Sequence, residues 1–192
     1  MQSKRRNRWF RLAALFTGAV IALLAVSPAF AHETGGAAPL PTSLPPAPAP
    51  LQTTTLPSAQ LSPDGRTAIA PVSAPDEVKS AIYAANQITR KPYRYGGGHR
   101  RNFQDNAYDC SGSVSYALHG GGFLKRPFDS SSLMGWGDSG PGQWITVYTN
   151  RGHAYVVLAA LRLDTSGSPS GPRWRRGARA STGFTARHPA GF

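Results

Sequence analysis

Tyr108-Asp109-Cys110-Ser111-Gly112-Ser113-Val114-Ser115-Tyr116-Ala117-Leu118 is the stretch whose reading decides the fold, and it holds the one cysteine of the 192-residue chain. Val114, Ala117 and Leu118 recur at helical spacing, and Asp109 is a strong N-cap residue directly before Cys110. The pattern predicts a helix with Cys110 in its first turn. Unpaired backbone N–H groups and the helix dipole favour negative charge there, so the thiol pKa is expected to fall towards neutrality. Two readings of the cysteine are open at this point: a nucleophilic thiolate presented by a helix, or a buried free Cys packed as a small hydrophobe.

The beginning of the chain bears on that choice. Lys4, Arg5, Arg6, Arg8 and Arg11 form a positive n-region, Leu12 to Val26 an apolar h-region, and Ala29-Phe30-Ala31 an A-x-A cleavage signal. Residues 1–31 are therefore expected to be a secretory signal peptide, with the mature chain starting at His32. The apolar run is short for a membrane span, so membrane attachment is expected only through an uncleaved signal segment. Arg5-Arg6 leaves twin-arginine and general secretory export both open. Exported chains normally use Cys in pairs. A lone Cys is then a free thiol or an intermolecular link, which excludes an intramolecular disulfide and a multi-cysteine zinc site.

Charge gives a second boundary. The chain has 21 Lys and Arg against nine Asp and Glu. Five of the basic residues and none of the acids lie in the first 31 positions, so the remainder carries a formal +7. A surface of that sign suits polyanions, which outside the cytoplasm means anionic wall polymers or lipid headgroups. No aromatic–basic interleaving of a nucleic-acid module is present, and no nucleic-acid partner is expected.

Residues 32–75 are rich in Pro, Ala, Leu and Thr and read as a disordered, partly polyproline-II linker. The domain is expected at 76–192. Ser73-Ala74-Pro75-Asp76 looks like a helix start, Val78, Ile82, Ala85 and Ile88 give one apolar face, and Lys91-Pro92 ends it. Pro92 to Tyr95 reads as extended, Gly96-Gly97-Gly98 as a break, and Gly120-Gly121-Gly122 as the end of the cysteine helix. One helical turn is expected at Ser130 to Met134. Gln143 to Tyr148 alternates as a strand, Asn150-Arg151-Gly152 is a turn, and His153 to Leu163 reads as one long strand. Thr165 to Gly171 is a loop, and Gly183 to Arg187 a final strand. Helices followed by antiparallel strands argue an α+β fold.

A thiolate nucleophile needs a base and a group that orients the base. His153, at the entry of the best strand, is the leading base, with His99 and His188 as alternatives. His119 lies about two and a half turns along the helix from Cys110, out of its reach.

Pro92-Tyr93-Arg94-Tyr95-Gly96-Gly97, Asp109-Cys110-Ser111-Gly112 and Gly152-His153-Ala154-Tyr155-Val156-Val157-Leu158 resemble, in order and spacing, the three signatures of the NlpC/p60 cell-wall cysteine peptidases. The resemblance covers about residues 76–192. It implies a papain-like α+β fold, with the cysteine helix packed on an antiparallel sheet, and hydrolysis of amide bonds in peptidoglycan stem peptides. It implies Cys110 as nucleophile, His153 as base, and the Cys110 backbone N–H as an oxyanion donor. Tyr93, Asp109 and Ser111 match positions on the substrate side, although Asp109 can equally be only the helix cap. For the third residue, a polar side chain about a dozen positions after the histidine, Asp164 fits best and His188 is its rival.

Two departures stand out. The family's Pro-Gly-Asp-Leu is Pro141-Gly142-Gln143-Trp144 here, without the acid. The loop Thr165 to Arg179 is long and basic, and reads as a cleft element, a polymer-binding segment or a solvated insertion.

The expectation is thus a secreted, monomeric, wall-associated peptidoglycan hydrolase, with no cofactor or metal. Stem peptides are its expected partner, and anionic wall polymers a second one. An amidase or acyltransferase on the same Cys–His pair, or an inactive wall-binding module, are the alternatives.

Overall fold

The computed structural model describes residues 56–167 and 171–192. The expected signal peptide, and the expected linker up to residue 55, lie outside the described residues.

Two helices and a sheet carry the core. Helix α1 spans Asp76–Ile88 and buries Val78, Ala81, Ile82, Ala85 and Ile88, an i, i+3, i+4, i+7 stripe. Ser73 does not cap it. Pro75 stands at the N-cap with no side-chain bond to the helix, and Asp76 and Glu77 in the first turn complement the dipole instead. Helix α2 spans Cys110–Gly120, and every residue from Ser111 to Leu118 is buried. It packs between α1 and the sheet. Its end is taken by Gly121 and Gly122, whose backbone N–H groups bond the carbonyls of Ala117 and His119 respectively. A single turn, α3, follows at Ser130–Leu133, with Asp129 as its cap.

The strands of the sheet are β3 (Asp138–Ser139), β4 (Ile145–Thr149), β5 (Ala154–Leu158), β6 (Leu161–Asp164), β7 (Arg173–Arg175) and β8 (Thr185–His188), in the order β3-β8-β4-β5-β6-β7 and antiparallel throughout. A preceding hairpin, β1 (Gln60–Leu61) with β2 (Ala68–Ile69), makes a separate two-stranded ribbon. Alternation assigns the faces. Ile145, Val147, Ala154, Val156, Leu158, Leu161 and Leu163 join the helices in the core, while Tyr148, Tyr155, Val157, Arg162 and Asp164 stand on the other side. The α+β architecture, with the cysteine helix laid on an antiparallel sheet, is the one expected.

Two expectations are corrected. His153 to Leu163 is not one strand. Ala159 and Ala160, with φ of 44° and 68°, turn the chain into the β5–β6 hairpin. Two successive left-handed residues are the geometry of a tight hairpin turn, normally written Asn-Gly. Alanine gives no such signal, so the run reads as continuous. The linker also ends earlier than residue 75. Ala59, Ala68 and Ala74 are buried in the core, Ala59 N–H donates to Ala159 O at 2.8 Å, and the side chain of Asn86 pairs with the backbone of Ala68 at 2.8 and 2.9 Å. Small alanines, which make the composition look linker-like, are what fit against α1.

Candidate active site

The site forms where the start of α2 meets the start of β5. Asp109 fixes the helix start. Its Oδ1 accepts from Gly112 N at 2.7 Å and Ser111 Oγ at 3.2 Å, and its Oδ2 accepts from Gly96 N at 2.8 Å. Gly97 and Gly98 can pass this close only without side chains, since a Cβ on them would collide with the Ala107 carbonyl oxygen and the Tyr108 ring. A Cβ on Gly112 would collide with the carbonyl oxygen of Gly97, and Gly98 sits at φ +83°. The isolated bridge between Tyr93 and Tyr108 brings the first motif alongside the second.

Cys110, in the first turn, has no intrahelical acceptor for its N–H. Its thiol is partly exposed and is not disulfide-bonded. Burial pushes the thiol pKa up, but hydrogen bonds from His153 and from the backbone N–H of Ala154, together with the histidine's charge, bring it below its ordinary value. His153 Nε2 lies 2.9 Å from Asp164 Oδ1, which leaves Nδ1 for the thiol. Burial lowers the His153 pKa. The hydrogen bonds to Asp164 and Cys110 outweigh it and raise the value to about 9. Asp164 is 1% exposed. Its burial favours the neutral acid, yet the bonds from His153, Ser166 and Arg179 hold its pKa far below the usual carboxylate range. The arrangement is a thiol, an imidazole and a buried carboxylate in line, with a built-in bias towards thiolate and imidazolium.

Of the rivals for the third position, Asp164 contacts the His153 ring, while His188 sits on β8 with Nδ1 against Gly140 O at 3.0 Å. His119 is turned away as expected, hydrogen-bonded to Leu124 O at 2.9 Å and stacked on Phe103. Tyr93, 40% exposed, lines the cleft over Cys110 with Asp109 and Ser111. Burial raises the Tyr93 phenol pKa, and the proximity of Cys110 and Asp109 adds to the shift.

Sequence reasoning weighed His99 only as an alternative base and left Arg179 without a role. His99 enters the same cleft, its Nε2 3.0 Å from Asp109 Oδ1 and 3.3 Å from Ser111 Oγ. The Asp109 bond raises its pKa against the opposing effect of burial. Arg179 donates through Nη1 to Asp164 Oδ2 at 2.9 Å and to Ser166 Oγ at 2.7 Å. Its signal in the sequence was only a run of basic residues, because a loop-to-strand contact fifteen positions away has no periodicity. The cleft also holds Asp129 and Arg151, charges of opposite sign on its rim. Among the described residues, no group of three or more His, Cys, Asp or Glu side chains could hold a metal ion.

No family model and no curated protein matches the chain. Among solved structures it is similar to the P60 domain of an antigen of Mycobacterium avium subspecies paratuberculosis, at 22% identity and TM-score 0.46, over 58% of this chain and 94% of that one. It is similar to the peptidoglycan hydrolase RipB of Mycobacterium tuberculosis, at 26% identity and TM-score 0.46, over 62% and 68%. A hypothetical invasion protein of the same species gives 22% and 0.46, over 72% and 74%.

Proposed function

We propose that the chain is an exported peptidoglycan hydrolase of the NlpC/p60 type, which cleaves amide bonds of wall stem peptides through a Cys110 thiolate. The observation that carries the reading is the line from the α2 N-terminus to the sheet: Cys110 hydrogen-bonded to His153, and His153 Nε2 held by Asp164 at 2.9 Å.

In this mechanism Cys110 Sγ attacks the scissile carbonyl carbon, and the carbonyl π-electrons move to oxygen. The oxyanion is received by the free N–H of Cys110 at the positive end of α2. His153, protonated in the resting pair, gives its proton to the leaving nitrogen as the C–N bond breaks. A water then attacks the thioester, losing a proton to His153, and collapse of the second intermediate releases the acid and the thiolate. Asp164 keeps the imidazole oriented and stabilises its charged form. Tyr93, Asp109 and Ser111 form the substrate side of the cleft, Asp109 through its hold on the helix start. Residues 1–31 are a signal peptide in this reading, so the protein acts outside the cytoplasm at the wall, as a monomer.

Digestion of defined muropeptides, followed by mass spectrometry, tests the proposal. Wild-type protein is expected to release peptide fragments, and Cys110→Ala, folded by circular dichroism, to release none. Equal turnover by the two proteins would rule out the thiolate mechanism, and transfer of the acyl group to an added amine would identify the acyltransferase alternative.

A further inference from the structure

The sheet face turned away from the helices carries a second cavity, of about 340 Å³, that shares no lining residue with the cleft around Cys110. Tyr148 and Tyr155 form its wall, Arg162 and Arg179 its charged lining, and Ala178 lies on the loop that closes it. The two tyrosine rings stack at 5.0 Å and 17°; Tyr155 is buried beneath Arg162 and Arg179, and Tyr148 is the accessible ring. Its volume is that of a small-molecule site.

The electrostatics around it are out of balance. Arg162 on β6 stands directly opposite Arg175 on β7. Like charges in that cross-strand position repel. Arg179 comes in from the loop, and the group these guanidiniums share is Asp164, with Arg162 Nε at 3.5 Å and Arg179 Nη1 at 2.9 Å from its Oδ2. Asp164 is also the partner of His153. Arg162 and Arg179, the two guanidiniums that line the cavity, against one carboxylate leave a local charge of +1 even when His153 is neutral. The side-chain nitrogens Arg162 Nε and Arg175 Nε are buried without a hydrogen-bond partner. The positive charge left at the cavity calls for an anionic acceptor.

We propose that this cavity is a binding site for a small organic oxyanion, a phosphate or carboxylate borne on a compact carrier that packs against Tyr148. The guanidinium fork suits both groups, since each offers two coplanar oxygens. The site does not depend on the peptidase reading, because its lining is separate from the cleft. It nonetheless touches the same machinery, because Arg179 belongs to both the cavity and the Asp164 carboxylate.

The test is isothermal titration of the full chain carrying Cys110→Ala, at about 0.15 M ionic strength to screen surface charge. The probes are glycerol 3-phosphate and glucuronate, with glycerol and glucose as neutral controls. Saturable binding of either anion, with none of the neutral controls, is expected. The anion that binds tells phosphate from carboxylate. Arg162→Gln is expected to weaken binding at least tenfold. Ala178→Trp, an exposed loop change that fills the cavity and leaves every arginine in place, should do the same and covers the case in which Arg162→Gln fails to fold. Absence of saturation with both anions, or binding unchanged by Ala178→Trp, overturns the proposal. The second result would mean that the anions bind elsewhere on the basic surface. Loss of wall hydrolysis in Cys110→Ala is a separate measurement, so either reading can fail alone.

Discussion

His153 is set between two groups with opposite demands. The thiol needs a proton acceptor, and Asp164 needs a cation beside it in a buried site. The carboxylate wins, and the imidazole stays protonated up to a pKa of about 9, while the thiol ionises below its ordinary value. The reactive thiolate–imidazolium pair therefore exists between those two limits. The rate on a wall substrate is expected to fall on the alkaline side as His153 loses its proton near pH 9. Asp164→Asn removes the hydrogen-bonded charge that lifts the histidine, so its alkaline limb should move to lower pH, and kcat should drop by roughly 10²–10⁴. A pH–rate profile of the two proteins decides this. An unshifted limb in Asp164→Asn would show that the carboxylate does not control the ring. Asp164 was within reach only through the family resemblance, which implies a polar residue about a dozen positions after the histidine. Arg179 was not, because nothing in a basic run says which of its members turns inward to a buried acid.

Elements differ in how openly they are written. Helix α2 announces itself through Asp109 and through Val114, Ala117 and Leu118, all within one stretch, and its cap is saturated by bonds to Gly112, Ser111 and Gly96. Asp109→Ala should cost about 1 kcal/mol for the lost cap and should also shift the Cys110 thiol, since the helix start would loosen. Chemical denaturation and thiol-alkylation rates, measured together, separate the two effects; unchanged values in both would remove Asp109 from its positioning role. The β5–β6 hairpin is concealed for the opposite reason. Its turn residues, Ala159 and Ala160, carry the left-handed backbone without the residue types that favour it. That strain costs roughly 1–2 kcal/mol per residue. Ala160 is exposed, so Ala160→Gly relieves it without opening a cavity. The extra freedom of glycine in the unfolded chain takes back about 0.4–1 kcal/mol. A net stabilisation of about 0.5–1 kcal/mol is expected from the urea midpoint, and a destabilised variant would mean that the turn is held by contacts of the alanine methyl.

At the scale of the molecule, residues 56–75 decide where the folded unit begins. Composition marks them as linker, because alanines and prolines look alike in a tether and in a tight seam. Position marks them as part of the domain. Asn86 on α1 is the junction: its Oδ1 accepts from Ala68 N at 2.8 Å and from Trp174 Nε1 at 2.8 Å, and its amide donates to Ala68 O at 2.9 Å. Thr89 Oγ1 bonds Arg66 O at 3.0 Å, and Arg176 reaches Leu61 O at the same distance. The hairpin is thereby tied to β7, the edge strand that pairs with β6 and with Asp164 itself. A chain beginning at Leu56 should melt with the full-length protein. One beginning at Asp76 loses the buried Ala59, Ala68 and Ala74 together with the bonds to Ala68, Arg66 and Leu61, and keeps only the Asn86–Trp174 bond of this junction. Its stability is expected to fall by several kcal/mol on the order-of-magnitude values for apolar burial and hydrogen bonds, which corresponds to roughly 5–15 °C in melting temperature. Because β7 loosens with it, the shorter chain should also lose wall-hydrolysing activity at temperatures below its own transition. Equal melting temperatures and equal rates for the two chains would return residues 56–75 to the linker.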